Sequence, residues 1–175
     1  MKRTLGFTAV AVALIACSGC GRAITEGVGL ARGAKGIVVV VAPAPSLAGY
    51  AEFKVEAFND QTGSGVPQVV KDSLAAHVAE QLAEAKVPTG GAGKTLIIRG
   101  TYLYYEDANN TADQVFGPLE EVLARVQLVD AASGKVLGEA NCVGRTTASV
   151  NKGPNEKGQG LAKAIVKWIK REMPG

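Results

Sequence analysis

At 175 residues the chain has room for one domain and too little for two comfortable ones. Its 19 Lys and Arg against 16 Asp and Glu leave a small positive excess, which gives no electrostatic footprint for nucleic acid or for a polybasic membrane patch. A single histidine excludes a His-based metal cluster or a His–His relay.

The chain opens on Lys2 and Arg3, and an apolar run from Leu5 to Ile15 follows. A basic start with an apolar run of roughly 7–15 residues is the build of a secretory signal, too short for a permanent bilayer span. Leu14-Ile15-Ala16-Cys17 at its end resembles the lipobox of bacterial lipoproteins. That resemblance implies removal of residues 1–16, diacylation of the Cys17 sulfur and acylation of the new amino terminus. Cys20 lacks the aliphatic residue three places upstream, so Cys17 is the expected lipidation site. Ser18 resembles the residue that sends such cargo on to the outer membrane, facing the periplasm. Cleavage would take the 175-residue chain to 159 and, by removing Lys2 and Arg3, leave 17 basic residues against 16 acidic. A chain of that size buries roughly 68–70% of its unfolded surface and needs neither disulfide nor metal to hold a core.

Residues 17–35 carry five glycines among alanines and scattered charges, which reads as a tether, with the domain occupying 36–175. Gly36-Ile37-Val38-Val39-Val40-Val41 is a β-branched run of strand length, and its continuity predicts burial on both faces. Phe53, Val55 and Ala57 alternate with Glu52, Lys54 and Glu56, the period of a half-buried strand. Asn59 to Gly65 is a polar turn, and Pro67 suits the first turn of a helix. That helix extends to about Lys86, with Val70, Leu74, Val78 and Leu82 in a stripe that needs a sheet face to cover it. Thr95 to Tyr105 and Val122 to Asp130 alternate as strands. Asp130 to Lys135 is a hairpin loop, and Val136 to Thr146 returns beside the strand before it. Gly160 to Met173 closes the chain as a helix with Leu161, Ile165, Trp168 and Ile169 on one face. The order is ββαβββα. The fold class is α+β: one domain with a mostly antiparallel or mixed sheet of about five strands and both helices on one face.

The sequence holds several motifs that could carry chemistry. Gly90-Gly91-Ala92-Gly93-Lys94-Thr95 ends like a phosphate-binding loop, but a helix precedes it and a strand follows, the reverse of what phosphate cradling requires. His77 reads as a residue at the edge of the first helix's stripe, partly covered by the sheet. No serine, threonine or cysteine stands in an elbow that would pair with it. Glu106-Asp107 and Glu120-Glu121 bracket a long loop and read as solvated pairs, not a catalytic dyad. Cys20 and Cys142 could pair in an oxidising compartment, but a buried free thiol at Cys142 is the expectation. Tyr102, Tyr104 and Tyr105 share a strand, and with Phe116 of the long loop they form a candidate partner-binding patch. The lysine face of the last helix reads as solvated.

Taken with Val55-Glu56-Ala57-Phe58-Asn59-Asp60 and Leu128-Val129-Asp130-Ala131-Ala132-Ser133-Gly134-Lys135-Val136-Leu137, the lipobox gives a chain similar to the bacterial lipoprotein family called domain of unknown function 4410. The similarity covers residues 36–172 and departs at Phe116-Gly117-Pro118, where that family carries a glycine-rich stretch. It implies no catalytic residues. The expectation is a non-enzymatic accessory domain, anchored to the membrane by lipid, that binds another envelope protein without cofactor, metal or nucleic acid. A small-ligand binder is the alternative, and a hydrolase stands behind both.

Overall fold

The computed structural model describes residues 34–106, 119–147 and 153–174. The lipidation site Cys17, the signal and most of the tether lie outside them, as do Phe116 and the rest of the long loop's centre. Among the described residues the elements are β1 (Lys35–Ala42), β2 (Tyr50–Val55), β3 (Asn59–Asp60), α1 (Gln68–Glu84), β4 (Lys94–Tyr105), β5 (Leu119–Asp130), β6 (Val136–Thr147) and α2 (Pro154–Glu172). The order ββαβββα and the α+β class hold, with the two-residue β3 added. The sheet runs β1-β6-β5-β4-β2, with β3 also on β4. β2 and β3 lie parallel to β4, and the other pairs are antiparallel. The parallel step follows from α1, which supplies the crossover that a parallel return needs.

The inner face of the sheet holds Leu96, Ile98, Tyr102, Val122, Ala124, Val126, Leu128, Ala140 and Cys142. Against it lie the expected α1 stripe, Val70, Leu74, Val78 and Leu82, and the α2 face of Leu161, Ile165, Trp168 and Ile169. Cys142 is a free buried thiol, and burial pushes its pKa up to about 12. Asp60 fastens the loop into α1. It accepts from the backbone N–H of Thr62 and of Val66, at 3.0 and 2.7 Å, and pairs with Lys71 at 2.8 Å. These contacts, Lys71 foremost, hold its carboxyl well below the usual carboxylate range.

Two expectations need correction. β1 is an edge strand, not one buried on both faces: Val39 is 57% exposed and Val41 51%. Helices cover only one face, and β-branched side chains suit a pleated backbone whether or not they are covered. The last helix begins at Pro154, not Gly160.

That earlier start rests on glycines. A Cβ on Gly144 of β6 would stand 2.4 Å from Lys157 O and from Leu161 N, and one on Gly36 of β1 would stand 2.3 Å from Ala164 N. Gly160 of α2 would meet Gly144 Cα at 3.0 Å. The helix therefore lies backbone to backbone on the sheet, and Gly160, unfavourable by roughly 0.5–1 kcal/mol in an isolated helix, allows the approach. Pro154 at its first turn has no N–H to leave unpaired.

Candidate functional site

The three tyrosines do not form one patch. A bulge between Tyr102 and Tyr104 changes the register of β4 against β5, so Tyr102 faces Ala124, Tyr104 faces Leu123 and Tyr105 faces Val122. The extra residue, Leu103, reverses the alternation. Tyr102 is buried inside, its ring 5.3 Å from that of Phe58, which itself sits over Gly100. Tyr105 also turns inward. The ammonium of the fully buried Lys157 lies 4.3 Å from its ring centroid and donates to Tyr105 Oη at 3.1 Å and Glu106 O at 2.8 Å. Only Tyr104 points out, 44% exposed.

On that outer face Tyr104 belongs to a row that composition did not reveal. Ile37 of β1 lies opposite Val143 of β6, Val143 opposite Leu123 of β5, and Leu123 opposite Tyr104 of β4. Four strands thus place four apolar side chains in one line, with Val39 beside it opposite Asn141. Charged neighbours flank the line and are paired among themselves. Arg145 Nε donates to Glu121 Oε1 at 2.7 Å on one side. On the other, Arg125 Nε donates to Asn141 Oδ1 at 3.2 Å and lies 3.6 Å from Glu139 Oε1. A row of this kind, lying on the face that neither helix covers and bordered by paired charge, is the candidate surface for protein contact. The signal that finds it is register, which fixes which residues of distant strands become neighbours.

The other motifs resolve into structural roles. The Gly90–Thr95 segment joins α1 to β4 and is tied down, since Gly90 N–H donates to Ala51 O at 2.8 Å. Gly90 and Gly91 take φ of 85° and 129°, and the strand follows directly, so no helix N-terminus is available for a phosphate. His77 is covered by α2, not by the sheet. Its Nε2 lies 2.9 Å from Asn155 Oδ1, and its Nδ1 lies 3.6 Å from Glu80. Glu121 is taken up by Arg145, while Asp107 and the Glu120 side chain lie outside the described residues. In the hairpin after β5, Asp130 Oδ1 accepts from Ser133 N–H at 2.8 Å and Ser133 Oγ at 2.7 Å, with Gly134 at φ 70°. Tyr50 donates its hydroxyl to Asp130 Oδ2 at 2.6 Å. That bond, with those from Ser133, lowers the Asp130 carboxyl to about 2, and burial, with Asp130 beside it, raises the Tyr50 phenol to about 12.

Among the described residues no three His, Cys, Asp or Glu side chains converge on a point that would hold a metal ion. No helix there is long and apolar enough to cross a membrane. A groove of about 490 Å³ runs between β2 and α1, lined by Phe53, Val55, Ala75 and Leu82 with Glu52 at its rim.

No family model and no curated protein matches the chain. Solved structures do. A PelC dodecamer from Paraburkholderia phytofirmans, in a variant form, aligns with TM-score 0.52 and 15% identity over 77% of this chain and 97% of that one. A second PelC dodecamer structure aligns with TM-score 0.51 and 14% identity over the same shares. A lipoprotein from Neisseria meningitidis aligns with TM-score 0.42 and 15% identity over 70% of this chain and 96% of that one. The resemblance to domain of unknown function 4410 rests on the quoted residues, without a matching family model. The PelC alignments establish a shared fold: one sheet with both helices on a single face.

Proposed function

We propose that this chain is a lipid-anchored, non-enzymatic domain of the cell envelope that assembles through the outer face of its sheet, with copies of itself and with another envelope protein. The observation that carries the reading is the apolar row Ile37–Val143–Leu123–Tyr104, which runs across four strands on the face of the sheet opposite both helices. Two further features support it. Leu14-Ile15-Ala16-Cys17 supplies an anchor, and Ser18 favours the periplasmic leaflet of the outer membrane. PelC, which shares the fold, is a dodecamer.

Native mass spectrometry of the mature lipoprotein in detergent tests the assembly. A closed oligomer is expected, and Leu123→Asp should shift it to smaller species with the fold intact by circular dichroism. A wild-type protein that is monomeric at every concentration, and recovers no envelope partner after crosslinking in cells, overturns the reading. Cys17→Ser should abolish incorporation of labelled fatty acid. A hydrolase screen showing turnover that disappears with His77→Ala would overturn the non-enzymatic part.

A further inference from the structure

A second cleft, of about 420 Å³, opens at the end of the sheet away from Tyr102, Tyr104 and Tyr105, where the start of β2 meets the C-termini of both helices. Its size falls in the range of small-molecule sites, roughly 300–1,000 Å³. Tyr50, Val87, Pro88, Met173 and Pro174 make it mostly apolar. Among the described residues, Lys86 and Lys170 are its only charged ones, one from each helix end, and no acidic side chain lines it. Both ammonium groups are exposed and lack a carboxylate partner among the described residues.

Lys86 stands out on a second, independent count. Seven glycines take positive φ in the described residues, and Lys86, at φ 55°, is the one other residue that does. It ends α1 in a closed turn: its N–H donates to Ala83 O and that of Val87 to Leu82 O, both at 3.0 Å. This is the position after a helix end where glycine is favoured. A lysine there holds an unpaired cation at the mouth of an apolar cleft, in a backbone conformation that works against it. The wall opposite is fixed, because the Tyr50 hydroxyl is held by Asp130, whose carboxylate is also engaged by Ser133.

We infer that this cleft binds a small anionic amphiphile, its single apolar tail against Tyr50, Val87 and Met173 and its acidic head between Lys86 and Lys170. The head is a carboxylate or a phosphate monoester, as in a free fatty acid or a monoacyl phosphate. Nothing in this inference depends on assembly through the outer face.

The test uses the mature lipoprotein in nanodiscs of neutral phosphatidylcholine and a photoreactive diazirine dodecanoate, with crosslinked peptides mapped by mass spectrometry. Label is expected on the peptides carrying Val87 and Met173. Dodecanoate and dodecyl phosphate should compete, the better competitor identifying the head group, while dodecyltrimethylammonium should not. Lys86→Glu with Lys170→Glu should cut labelling at least tenfold. Lys86→Gly should cut it severalfold with no fall in Tm, which separates loss of the cation from loss of the fold. Equal competition by the cationic amphiphile, unchanged labelling of Lys86→Gly, or label confined to other peptides would overturn the inference.

Discussion

α1 and α2 cover the same face of the sheet by different means. α1 reaches it through side chains, with Val70, Leu74, Val78 and Leu82 filling the space below the helix. α2 reaches it with its backbone as well, Gly160 resting on Gly144 and Ala164 over Gly36. The first kind of contact tolerates trimming and the second tolerates no addition. A side-chain layer can partly relax into a gap, but a backbone cannot move aside without carrying its strand along.

Adding a single methyl to the second contact should therefore do more harm than removing a large group from the first. Gly144→Ala is expected to cost more than any α1 truncation, because its Cβ would stand 2.4 Å from backbone atoms of α2. Urea denaturation should show a loss of about 4 kcal/mol or more, at the far end of single-substitution effects. Leu74→Ala in α1 should cost about 2–4 kcal/mol by the same measurement. If Leu74→Ala proves the more damaging, the glycine contact is softer than its geometry and the contrast between the helices fails.

A smaller effect is expected where neither helix supplies the bond. Tyr50 and Asp130 join β2 to the hairpin after β5. The depressed Asp130 pKa means that its contribution is complete above the unfolded value near 3.9 and is lost as pH falls toward about 2. Tyr50→Phe should raise that pKa and move the acid-induced loss of stability to higher pH, read as the midpoint of an acid titration by fluorescence. In the alkaline direction, the raised Tyr50 pKa contributes below about 10 and is lost as pH climbs through about 12. The smallest effect should be a gain. Lys86→Gly at the end of α1 should add about 0.5–1 kcal/mol by relieving the left-handed backbone, and an unchanged or lower midpoint would show that the turn carries no strain.

The same contrast explains what the sequence made legible. The α1 stripe was readable because large apolar residues at helical spacing leave a periodic trace. The first turns of α2 were not, since glycines at 158 and 160 leave no apolar stripe, and only the facing Gly144 shows why Gly160 is there. The strands were readable by alternation, but the direction of Tyr104 and Tyr105 was not, because one extra residue at Leu103 exchanged their faces. Burial on both faces was a false inference for Val38–Val41, since β-branching reports a preference for extended backbone and says nothing of how many sides are covered. The outer row became visible only after β1, β6, β5 and β4 were aligned. Lys157 shows the reverse case: a residue type that is ordinarily solvated is buried beneath Tyr105 because α2 starts early and lies close.

The pairing of β1 with β6 also sets an order of events. Lys35 finds its partner at Arg145, and Val38 finds Cys142, more than one hundred residues further along the chain. As the polypeptide emerges from its amino end, β1 comes out first and waits longest, a run of valines with no strand beside it until nearly all of the domain has appeared. Contacts of such long sequence separation slow folding and expose apolar edges to other chains in the interval. Within the described residues, a holding chaperone would therefore find its first target in Ile37–Val41.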